Sequence, residues 1–245
     1  MISIILAAGR GTRMSPLTDD TPKSLLPFKS ETLLTRLIRQ IDRRTKDRII
    51  VVVGHEKDRI IDAVNSANED RVEFIINYDY KNDVNILSLS LSLDSIDEEF
   101  IVFESDCLFD NNAMDAIFSL ELDKKSSWYT IGNFLPNQVG GIVSSDDNDN
   151  VLDVKIVPKF ESKFQNYDKL VGVLKVGPNE FENFKRHLLS EVKKSTMQYY
   201  LMPWIRNLSL LPCKSTSLAN FHAGAFNTPD EYRKVLEMFT EGDYD

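Results

Sequence analysis

The sequence predicts an α/β fold built on a doubly wound, mostly parallel sheet flanked by helices. Short apolar segments of the kind that form buried strands alternate with amphipathic segments at helical spacing. The first apolar segment runs directly into a glycine loop, and ligands of such sheets bind at the carboxyl ends of the strands. The chain has 245 residues, 42% of them hydrophobic, which is enough for one large core. A single domain over residues 1–245 is therefore predicted.

The first half of the chain consists of repeated strand–helix units. Residues 2–8 predict a strand buried on both faces, because they form an apolar, partly β-branched run that ends at a glycine. Residues 32–44 predict an amphipathic helix, since Leu33, Leu37 and Ile41 recur at helical spacing between charged residues. Further strands are predicted over 49–53, 72–76 and 100–104, with a helix over 57–67.

The second half contains further short strands, followed by helices. Strands are predicted over 129–134, 140–144, 151–157, 171–176 and 217–225, and helices over 180–194, 196–207 and 229–239. The acidic run at 146–150 predicts a solvated hairpin turn, because it lacks the glycine and the distal glutamate of a calcium-binding loop. No internal repeat or Pro/Gly linker divides the chain.

Composition narrows the classes of partner. The chain has 29 Lys+Arg and 38 Asp+Glu residues, a net charge of −9, so we expect small-molecule partners and no nucleic acid. The two cysteines, Cys107 and Cys213, are too few for a disulfide framework. The apolar start of the chain is shorter than a membrane span and lacks the basic region of a signal peptide. These features predict a cytoplasmic protein that does not bind membranes.

Residues 9–23 have the composition of a triphosphate-binding loop. Gly9 and Gly11 let backbone N–H groups approach phosphates closely. Arg13 and Lys23 supply positive charge at defined offsets from the glycines. The loop therefore predicts a nucleotide site at the end of the first strand.

Two better-known phosphate loops do not fit these residues. The three-glycine dinucleotide pattern is excluded, because Met14 stands where the third glycine belongs, and this also disfavours a nicotinamide dehydrogenase. A P-loop is excluded, because Pro22 rather than glycine precedes the lysine.

The motif as a whole resembles the signature of the nucleotidyltransferase family, whose members make nucleotide-activated sugars, cholines and phosphonates. It reads Leu-Ala-Ala-Gly-Arg-Gly-Thr-Arg-Met-Ser-Pro-Leu-Thr over residues 6–18 and Thr-Pro-Lys-Ser-Leu-Leu-Pro over 21–27. The resemblance implies a Rossmann-like, GT-A-like fold, with a nucleotide-binding half at 1–125 and an acceptor-binding subregion at 126–245. It also implies that an acceptor phosphate or phosphonate attacks the α-phosphorus of a nucleoside triphosphate and that pyrophosphate leaves, without a protein nucleophile.

The resemblance also assigns roles to residues. It implies that Arg13 holds the β- and γ-phosphates and that Lys23 bridges the α-phosphate and the attacking oxygen, with Asp106 completing the catalytic group. The nucleotide-binding residues that it implies are Leu6, Ala7, Ala8, Gly9, Gly11, Thr12, Arg13, Lys23, Asn85 and Ser88.

Asn85 and Ser88 lie where the choline-phosphate and phosphonate branch of the family reads the base. Asn85-Ile-Leu-Ser-Leu matches the second half of that branch's N-N-x-x-S-L element, which opens a helix over the sheet. The resemblance therefore favours a helix where the Leu/Ser alternation over 87–93 alone predicts a half-exposed strand. An amide and a hydroxyl cannot by themselves separate cytosine from uracil, so the expectation of CTP rests on the resemblance.

The metal site is expected where the strand at 100–104 ends. Asp106 aligns with a family aspartate that binds Mg²⁺, and Glu104 is expected to reach the acceptor or the water shell of the metal. Both carboxylates could instead simply cap the strand end. Asn227 stands where the family commonly has a second metal-binding aspartate, and its carbonyl can coordinate Mg²⁺ without adding charge. The Thr-Pro pair that follows also fits the start of a helix.

The acceptor site is expected in the second half. Lys159 lies in loose register with a family lysine that touches the acceptor phosphate, although it also fits an ordinary solvated lysine. Tyr200 and Trp204, together with Tyr199, are candidates for a cage around a quaternary amine through cation–π attraction. Aromatic residues at this spacing also fit a core.

The sequence thus predicts a Mg²⁺-dependent cytidylyltransferase. Its expected reaction transfers CMP from CTP to the phosphate or phosphonate of a small amine or amino acid, such as phosphocholine, an aminoalkylphosphonate or a phosphorylated amino acid. A sugar-1-phosphate nucleotidyltransferase using UTP, GTP or CTP is the alternative within the family. A non-catalytic nucleotide-binding regulatory subunit is the alternative of another class, which Asn227 favours and the intact Arg13, Lys23 and Asp106 disfavour. A homodimer is left open.

Overall fold

A mixed sheet of nine strands runs through the part of the chain that the computed structural model describes, residues 1–67, 71–119 and 125–239. The strands are, in chain order, β1 (Ile2–Ala7), β2 (Pro27–Phe28), β3 (Glu31–Thr32), β4 (Ile49–Val53), β5 (Val72–Ile76), β6 (Phe100–Glu104), β7 (Cys107–Phe109), β8 (Ser126–Asn133), β9 (Gly140–Ser145), β10 (Val151–Val157), β11 (Asp168–Val176), β12 (Cys213–Ser217) and β13 (Ala223–Ala225). The helices are α1 (Leu33–Asp42), α2 (Lys57–Ser66), α3 (Ile86–Ser92), α4 (Asn111–Ser119), α5 (Phe181–Lys194), α6 (Met202–Asn207) and α7 (Pro229–Glu237).

The sheet has a parallel half and a mostly antiparallel half. β5, β4, β1 and β6 lie side by side in that order, and every pair is parallel. β11 joins β6 in the antiparallel sense and leads to β9 and β10, while β8 pairs with β11 and β12. Outside this sheet, β2 pairs with β3 and β7 with β13. The predicted fold class, a mostly parallel central sheet flanked by helices, is confirmed.

Two hydrophobic clusters cover the two faces of the sheet. Ile4 and Leu6 of β1 pack with residues of α3 and α5 on one face. Ile5 and Ala7 pack with residues of α1, α2 and α4 on the other face. Successive strand residues point to opposite faces, so a strand buried on both faces is apolar at nearly every position. This double burial explains why β1 carries no alternating polar pattern.

The segment Ile86–Ser92 forms helix α3, as the family resemblance predicts, and not the half-exposed strand that the Leu/Ser alternation predicts. Its three serines are buried, and two of their hydroxyls bond within the helix: Ser90 donates to the Leu87 carbonyl at 2.8 Å and Ser92 to the Leu89 carbonyl at 2.7 Å, while Ser88 donates to Asp83 just before the helix. Because each hydroxyl is satisfied locally, serine is tolerated in a buried helix, and the period-2 pattern is misleading there.

The strands predicted over 129–134 and 171–176 each begin three residues earlier, as β8 and β11, and two further predicted elements differ more from the structure. The helix expected over 196–207 begins only at Met202, because Thr196 and Tyr200 bond to the segment before α3 instead: Val84 N donates to Thr196 O at 3.2 Å, and Tyr200 N to Asn85 Oδ1 at 2.9 Å. The strand expected over 217–225 is two strands, β12 and β13, separated by a turn. β7 and α4 carry no sequence prediction. None of the described helices has the length and apolar character needed to span a bilayer.

Candidate active site

A cleft of about 250 Å³ opens where the parallel strands end and continues across β11. Because the sheet order is β9-β11-β6-β1, the residues of the β1 loop and those of β9 and β11 lie on opposite sides of the end of β6. We call these the loop side and the β11 side. The loop side is lined by Leu6, Ala7, Ala8, Gly9, Gly11, Arg13, Lys23, Ser24, Asn85 and Ser88. The β11 side is lined by Trp128, Gly140, Gly141, Ile156, Lys169, Leu170, Gly172, Tyr199, Tyr200 and Leu201.

The glycine loop leaves space for a ligand on the loop side. A Cβ added at Gly9 would meet nothing within 4 Å, so the backbone there borders open space. Gly11 has a φ of 64°, and a Cβ there would lie 2.9 Å from Lys23 Cβ, so only glycine fits. The loop is fixed by Thr18, whose hydroxyl donates to Gly11 O at 2.9 Å. Thr12 is exposed and does not line the cleft, unlike the other predicted nucleotide residues.

Lys23 joins three segments of the chain. Its Nζ donates to Asp106 Oδ2 at 2.5 Å and to the carbonyl of Phe226. The two charged side chains are 13% and 17% exposed, so their pairing is partly shielded from water. A short 3₁₀ turn, Lys23–Leu25, which begins after Pro22, presents the ammonium group to the end of β6. The predicted catalytic Lys23 and Asp106 are therefore in direct contact.

Arg13 and Asn227 also meet at this cleft. Arg13 Nη2 donates to Asn227 Oδ1 at 2.6 Å. The Asn227 backbone N–H in turn donates to Glu231 Oε2 at 2.6 Å, beside a capping box in which Thr228 and Glu231 close the N-terminus of α7. The Thr-Pro pair thus does start a helix, and this helix start places Asn227 beside the cleft.

Asn85 bridges the two sides of the cleft, whereas Ser88 is bound within the fold. Asn85 Nδ2 lies 3.4 Å from Glu104 Oε1, while its Oδ1 accepts from Tyr200 N. The Ser88 hydroxyl donates to Asp83 Oδ2 at 2.7 Å and accepts from Asn77 Nδ2 at 3.0 Å. Of the two residues predicted to contact the base, only Asn85 thus has a side-chain amide that contacts the β11 side.

Glu104 is a half-buried carboxylate at the centre of the cleft. It makes no ion pair within 4.0 Å among the described residues; Asn85 Nδ2 lies 3.4 Å from its Oε1, and the Tyr200 side chain hydrogen-bonds to it. Burial, and then the negative charge of Asp106, raise the pKa of Glu104 to about 7, while Lys169 and Lys23 act in the opposite direction. The close packing depends on a glycine, because Gly172 has a φ of 78° and a Cβ there would lie 3.0 Å from Glu104 Cβ.

The cation that sequence reasoning missed is Lys169 of β11. It lines the cleft, and its Nζ donates to Leu170 O at 2.8 Å and to Gly141 O at 3.4 Å. Burial lowers the pKa of Lys169, and the charge of Glu104 opposes this shift most strongly. Lys159, which was predicted to bind the acceptor, is exposed and does not line the cleft. The only sequence signal for Lys169 was its place three residues before Gly172, just ahead of the strand predicted over 171–176.

The predicted aromatic cage is not assembled. Trp204 is 1% exposed, lies 4.8 Å from the Phe184 ring between centroids and does not line the cleft. Tyr200 does line the cleft, but its ring stacks on Trp128 at 5.7 Å and 19°. The prediction for Trp204 is therefore corrected: this ring belongs to the core. The pattern could not reveal this, because a helical aromatic spacing fits a core as well as a cage.

The residues at the cleft fit a magnesium ion shared with phosphates. The Asp106 and Glu104 carboxylates and the Asn227 carbonyl are the hard oxygen donors that Mg²⁺ prefers, and this ion typically takes one or two carboxylates plus phosphate oxygens. Asp106 Oδ1 is engaged only by a 3.8 Å contact with Cys107 Sγ, so one oxygen is available to a cation, whereas Asn227 Oδ1 already accepts a hydrogen bond from Arg13. Within the described residues, no group of three His, Cys, Asp or Glu side chains could hold a metal by itself. Phosphate oxygens would thus have to complete the coordination.

The chain is similar in sequence to proteins of a known family. The model of the nucleotidyl transferase family matches residues 2–167. Over 159 residues the chain is 29% identical to the bifunctional protein GlmU of Methanococcus aeolicus, covering 65% of this chain and 36% of that protein. Over 134 residues it is 29% identical to AglF of Haloferax volcanii, a UTP–glucose-1-phosphate uridylyltransferase, covering 54% of each. The chain thus spans about a third to a half of the length of these curated relatives.

Two solved structures share the fold along nearly the whole chain. The CTP:phosphocholine cytidylyltransferase LicC of Streptococcus pneumoniae superposes with a TM-score of 0.79 at 21% identity, covering 98% of this chain and 99% of that one. The inositol-1-phosphate CTP transferase of T. maritima superposes with a TM-score of 0.77 at 17% identity, covering 98% and 96%. Since the family model covers well over half of the sequence, the chain belongs to the nucleotidyl transferase family.

Proposed function

We propose that this chain is a Mg²⁺-dependent nucleotidyltransferase that transfers CMP from CTP to the phosphate or phosphonate of a small amine or amino acid, releasing pyrophosphate. Its expected place of action is the cytoplasm, where nucleoside triphosphates are available and cysteines such as the free Cys107 and Cys213 stay reduced.

The observation that carries this proposal is the contact between Lys23 and Asp106 at the end of β6. The pair lies between an open glycine loop on one side and a second binding region on the other. A triphosphate on the loop side and an acceptor on the β11 side would therefore meet beside one cation and one carboxylate. This is the arrangement that phosphoryl-type transfer needs, because catalysis rests on positioning and on neutralising charge.

The reaction requires no covalent enzyme intermediate. An oxygen of the ionised acceptor forms a bond to the α-phosphorus as the bond from that phosphorus to the bridging oxygen breaks, and pyrophosphate leaves with the electron pair. In our proposal Lys23 lies beside the α-phosphate and the attacking oxygen, and Arg13 beside the β- and γ-phosphates. Mg²⁺ held by Asp106, with Asn227 and phosphate oxygens, would neutralise the charge that the two anions bring together.

The choice of CTP and of an amine acceptor has two supports. The Asn85–Leu89 segment resembles the choline-phosphate and phosphonate branch and forms the expected helix α3. The two solved structures that share the fold along nearly the whole chain are a CTP:phosphocholine cytidylyltransferase, which favours both CTP and an amine acceptor, and an inositol-1-phosphate CTP transferase, which favours CTP alone. Sugar-1-phosphate is the second candidate acceptor, because AglF is named a UTP–glucose-1-phosphate uridylyltransferase.

Pyrophosphate release tests the proposal. The protein is assayed with Mg²⁺, each of the four ribonucleoside triphosphates and separate pools of amine phosphates, aminoalkylphosphonates, phosphorylated amino acids and sugar-1-phosphates. Release with CTP and an amine pool is the expected result. Release with UTP or GTP and the sugar pool would instead favour the second candidate function, a sugar-1-phosphate nucleotidyltransferase. If the protein binds a nucleotide but releases no pyrophosphate with any of the pools, a regulatory subunit would instead be favoured.

A further inference from the structure

A short segment between α5 and α6 forms part of the β11 side of the cleft. The structure describes all of residues 195–201, which we call the strap, and they form neither helix nor strand. Three of them, Tyr199, Tyr200 and Leu201, line the cleft, whereas Met197 is exposed. A segment outside regular secondary structure keeps its shape through contacts with its neighbours. The position of this wall of the cleft therefore depends on what holds the strap.

One set of hydrogen bonds joins the strap to the segment that precedes α3. Thr196 Oγ1 donates to Asn82 O at 2.5 Å, and Thr196 O accepts from Val84 N at 3.2 Å. Tyr200 N donates to Asn85 Oδ1 at 2.9 Å, as described above. These bonds place the strap beside the residues of the loop side.

A second set of bonds ties the strap to the two helices that flank it. Glu191 of α5 is 1% exposed, and its carboxylate pairs with Lys194 at 2.7 Å and with Arg206 of α6. The Glu191 backbone carbonyl accepts from Gln198 Nε2 at 2.7 Å, and the same amide donates to Ser195 O at 2.8 Å. Glu191 thus connects the helix before the strap, the strap itself and the helix after it.

The burial of the Glu191 carboxylate points to a role in geometry. The other buried side chains of α5 are apolar and follow helical spacing: Phe181, Phe184 and Leu188. Packed hydrophobic residues are often as stabilising as a buried ion pair, so stability alone does not require a carboxylate at this position. A carboxylate that accepts from cations on both sides of the strap instead fixes the distance and direction between α5 and α6, because charged hydrogen bonds are directional.

We propose that Glu191, together with Arg206 and Gln198, positions the strap so that its three cleft residues form a wall of the acceptor site. None of these three side chains lines the cleft, so they act as positioning residues. The inference rests on the proposed function, in which the acceptor binds on the β11 side. Nucleotide binding should be spared, because Thr18 fixes the glycine loop and Asp83 accepts from the first turn of α3 independently of the strap.

Steady-state kinetics with each substrate varied in turn test the proposal. Gln198→Met removes two donated hydrogen bonds at similar side-chain length, and Glu191→Gln removes the buried charge. Each is expected to raise the KM of the acceptor by about 10-fold, the value of one or two hydrogen bonds, with the KM of the nucleotide unchanged. Glu182→Gln, at an exposed glutamate of the same helix, is the matched control and should change neither. An unchanged acceptor KM, or an equal rise in both constants, would overturn the inference.

The kinetic split distinguishes positioning from lost stability. A merely destabilised enzyme loses active protein and therefore apparent kcat, without a change in either KM. Gln198 is only half-buried, so its variant tests the strap even where Glu191→Gln fails to fold.

Tryptophan signals test the same inference without turnover. Trp128 stacks on Tyr200 of the strap at 5.7 Å, and Trp204 of α6 lies against Trp128 at 5.2 Å. The near-ultraviolet circular dichroism of Gln198→Met should therefore differ from that of wild type, with an unchanged far-ultraviolet spectrum, whereas Glu182→Gln should match wild type in both. An unchanged near-ultraviolet spectrum would contradict the inference in an active enzyme as well. A changed spectrum in a protein that turns over no acceptor would support the positioning and contradict the proposed function alone.

Discussion

At the scale of single residues, Lys23 has the most sharply defined role, because it contacts Asp106 and Phe226 from a turn that follows the glycine loop. Lys23→Ala is expected to lower kcat/KM by about 100- to 1,000-fold, the usual effect of removing one transition-state contact. Lys46→Ala, an 83% exposed lysine on the surface, is the matched control. Circular dichroism should show an unchanged fold in both variants. Wild-type turnover in Lys23→Ala would remove this residue from the site.

Lys169 and Lys159 give a second comparison at this scale. Lys169 lines the cleft and Lys159 is exposed outside it. Their alanine variants therefore test whether Lys169, which the structure favours, or Lys159, which the sequence favoured, binds the acceptor. Lys169→Ala is expected to raise the KM of the acceptor by at least 10-fold, because a shielded cation facing the acceptor is lost. Lys159→Ala should leave that KM unchanged. Steady-state kinetics with varied acceptor checks both, and the reverse order would restore the prediction for Lys159.

The raised pKa of Glu104 makes stability depend on pH. The folded protein binds the Glu104 proton more tightly than the unfolded chain, so the stability that this group contributes is present below its ordinary pKa and is lost as pH rises through about 7. Glu104→Gln should therefore raise the melting temperature relative to wild type more at pH 8 than at pH 5. Glu237→Gln, at an exposed glutamate that ends α7, is the control and should show no such difference. A gain at pH 5 equal to that at pH 8 would mean that Glu104 titrates normally.

The loop side could be predicted from sequence, whereas the β11 side could not. Residues 6–23 are contiguous, so their spacing alone carries the geometry of a phosphate loop. The β11 side is assembled from β8, β9, β10, β11 and residues 199–201, and no local pattern states which of their side chains meet. Lys169 illustrates this, since its place in the cleft follows from the pairing of β11 with β6 rather than from its sequence neighbours.

At the scale of elements, α3 depends on a residue that sequence reasoning did not single out. Asp83 accepts from the backbone N–H groups of Leu87 and Ser88 at 3.0 and 2.9 Å, and also from the Ser88 hydroxyl and the Asn77 amide. It thus satisfies N–H groups in the first turn of α3 that would otherwise lack acceptors. Asp83 lies two residues before Asn85, so the same cap holds Asn85 at the cleft.

Asp83→Asn should therefore weaken both the helix and the site. The amide nitrogen cannot accept the bonds that one carboxylate oxygen now receives, so we expect a loss of about 1–2 kcal/mol in the free energy of unfolding. The KM for the nucleotide should also rise, because Asn85 follows the capped turn. Urea denaturation and pyrophosphate release measure the two effects. Asp97→Asn, an exposed aspartate beyond the same helix, is the control and should change neither.

The bounds of elements were predicted well where the local apolar pattern determines them, and poorly where hydrogen bonds between distant residues determine them. β4, β5, β6 and β10 match their predicted bounds, because each is a short apolar or alternating run that contains β-branched residues, which the misleading Leu/Ser run at 87–93 lacks. The start of α6 was missed, since the bonds from Val84 and Tyr200 that delay it join residues more than a hundred positions apart. Propensity yields to such tertiary contacts.

At the scale of the whole molecule, the site lies where two halves of one sheet join. β6 pairs in parallel with β1 and antiparallel with β11, so Glu104 and Asp106 at its carboxyl end lie between the loop side and the β11 side of the cleft. Gly172 makes this junction close, because its φ of 78° and its 3.0 Å virtual Cβ contacts with Glu104 and Cys107 admit no side chain. The contact that joins the two halves of the sheet therefore also forms part of the cleft.

This shared packing predicts that residues 1–245 unfold as one unit. The chain has two tryptophans, and both lie in the cluster that also contains Ile4 of β1 and Val102 of β6. Tryptophan fluorescence and far-ultraviolet circular dichroism should therefore give coincident urea transitions. Gly172→Ala should move both curves together to lower urea, by about 1–3 kcal/mol of unfolding free energy. A tryptophan transition that precedes the loss of helix would instead mean that the β11 side of the cleft opens on its own while the loop side stays folded.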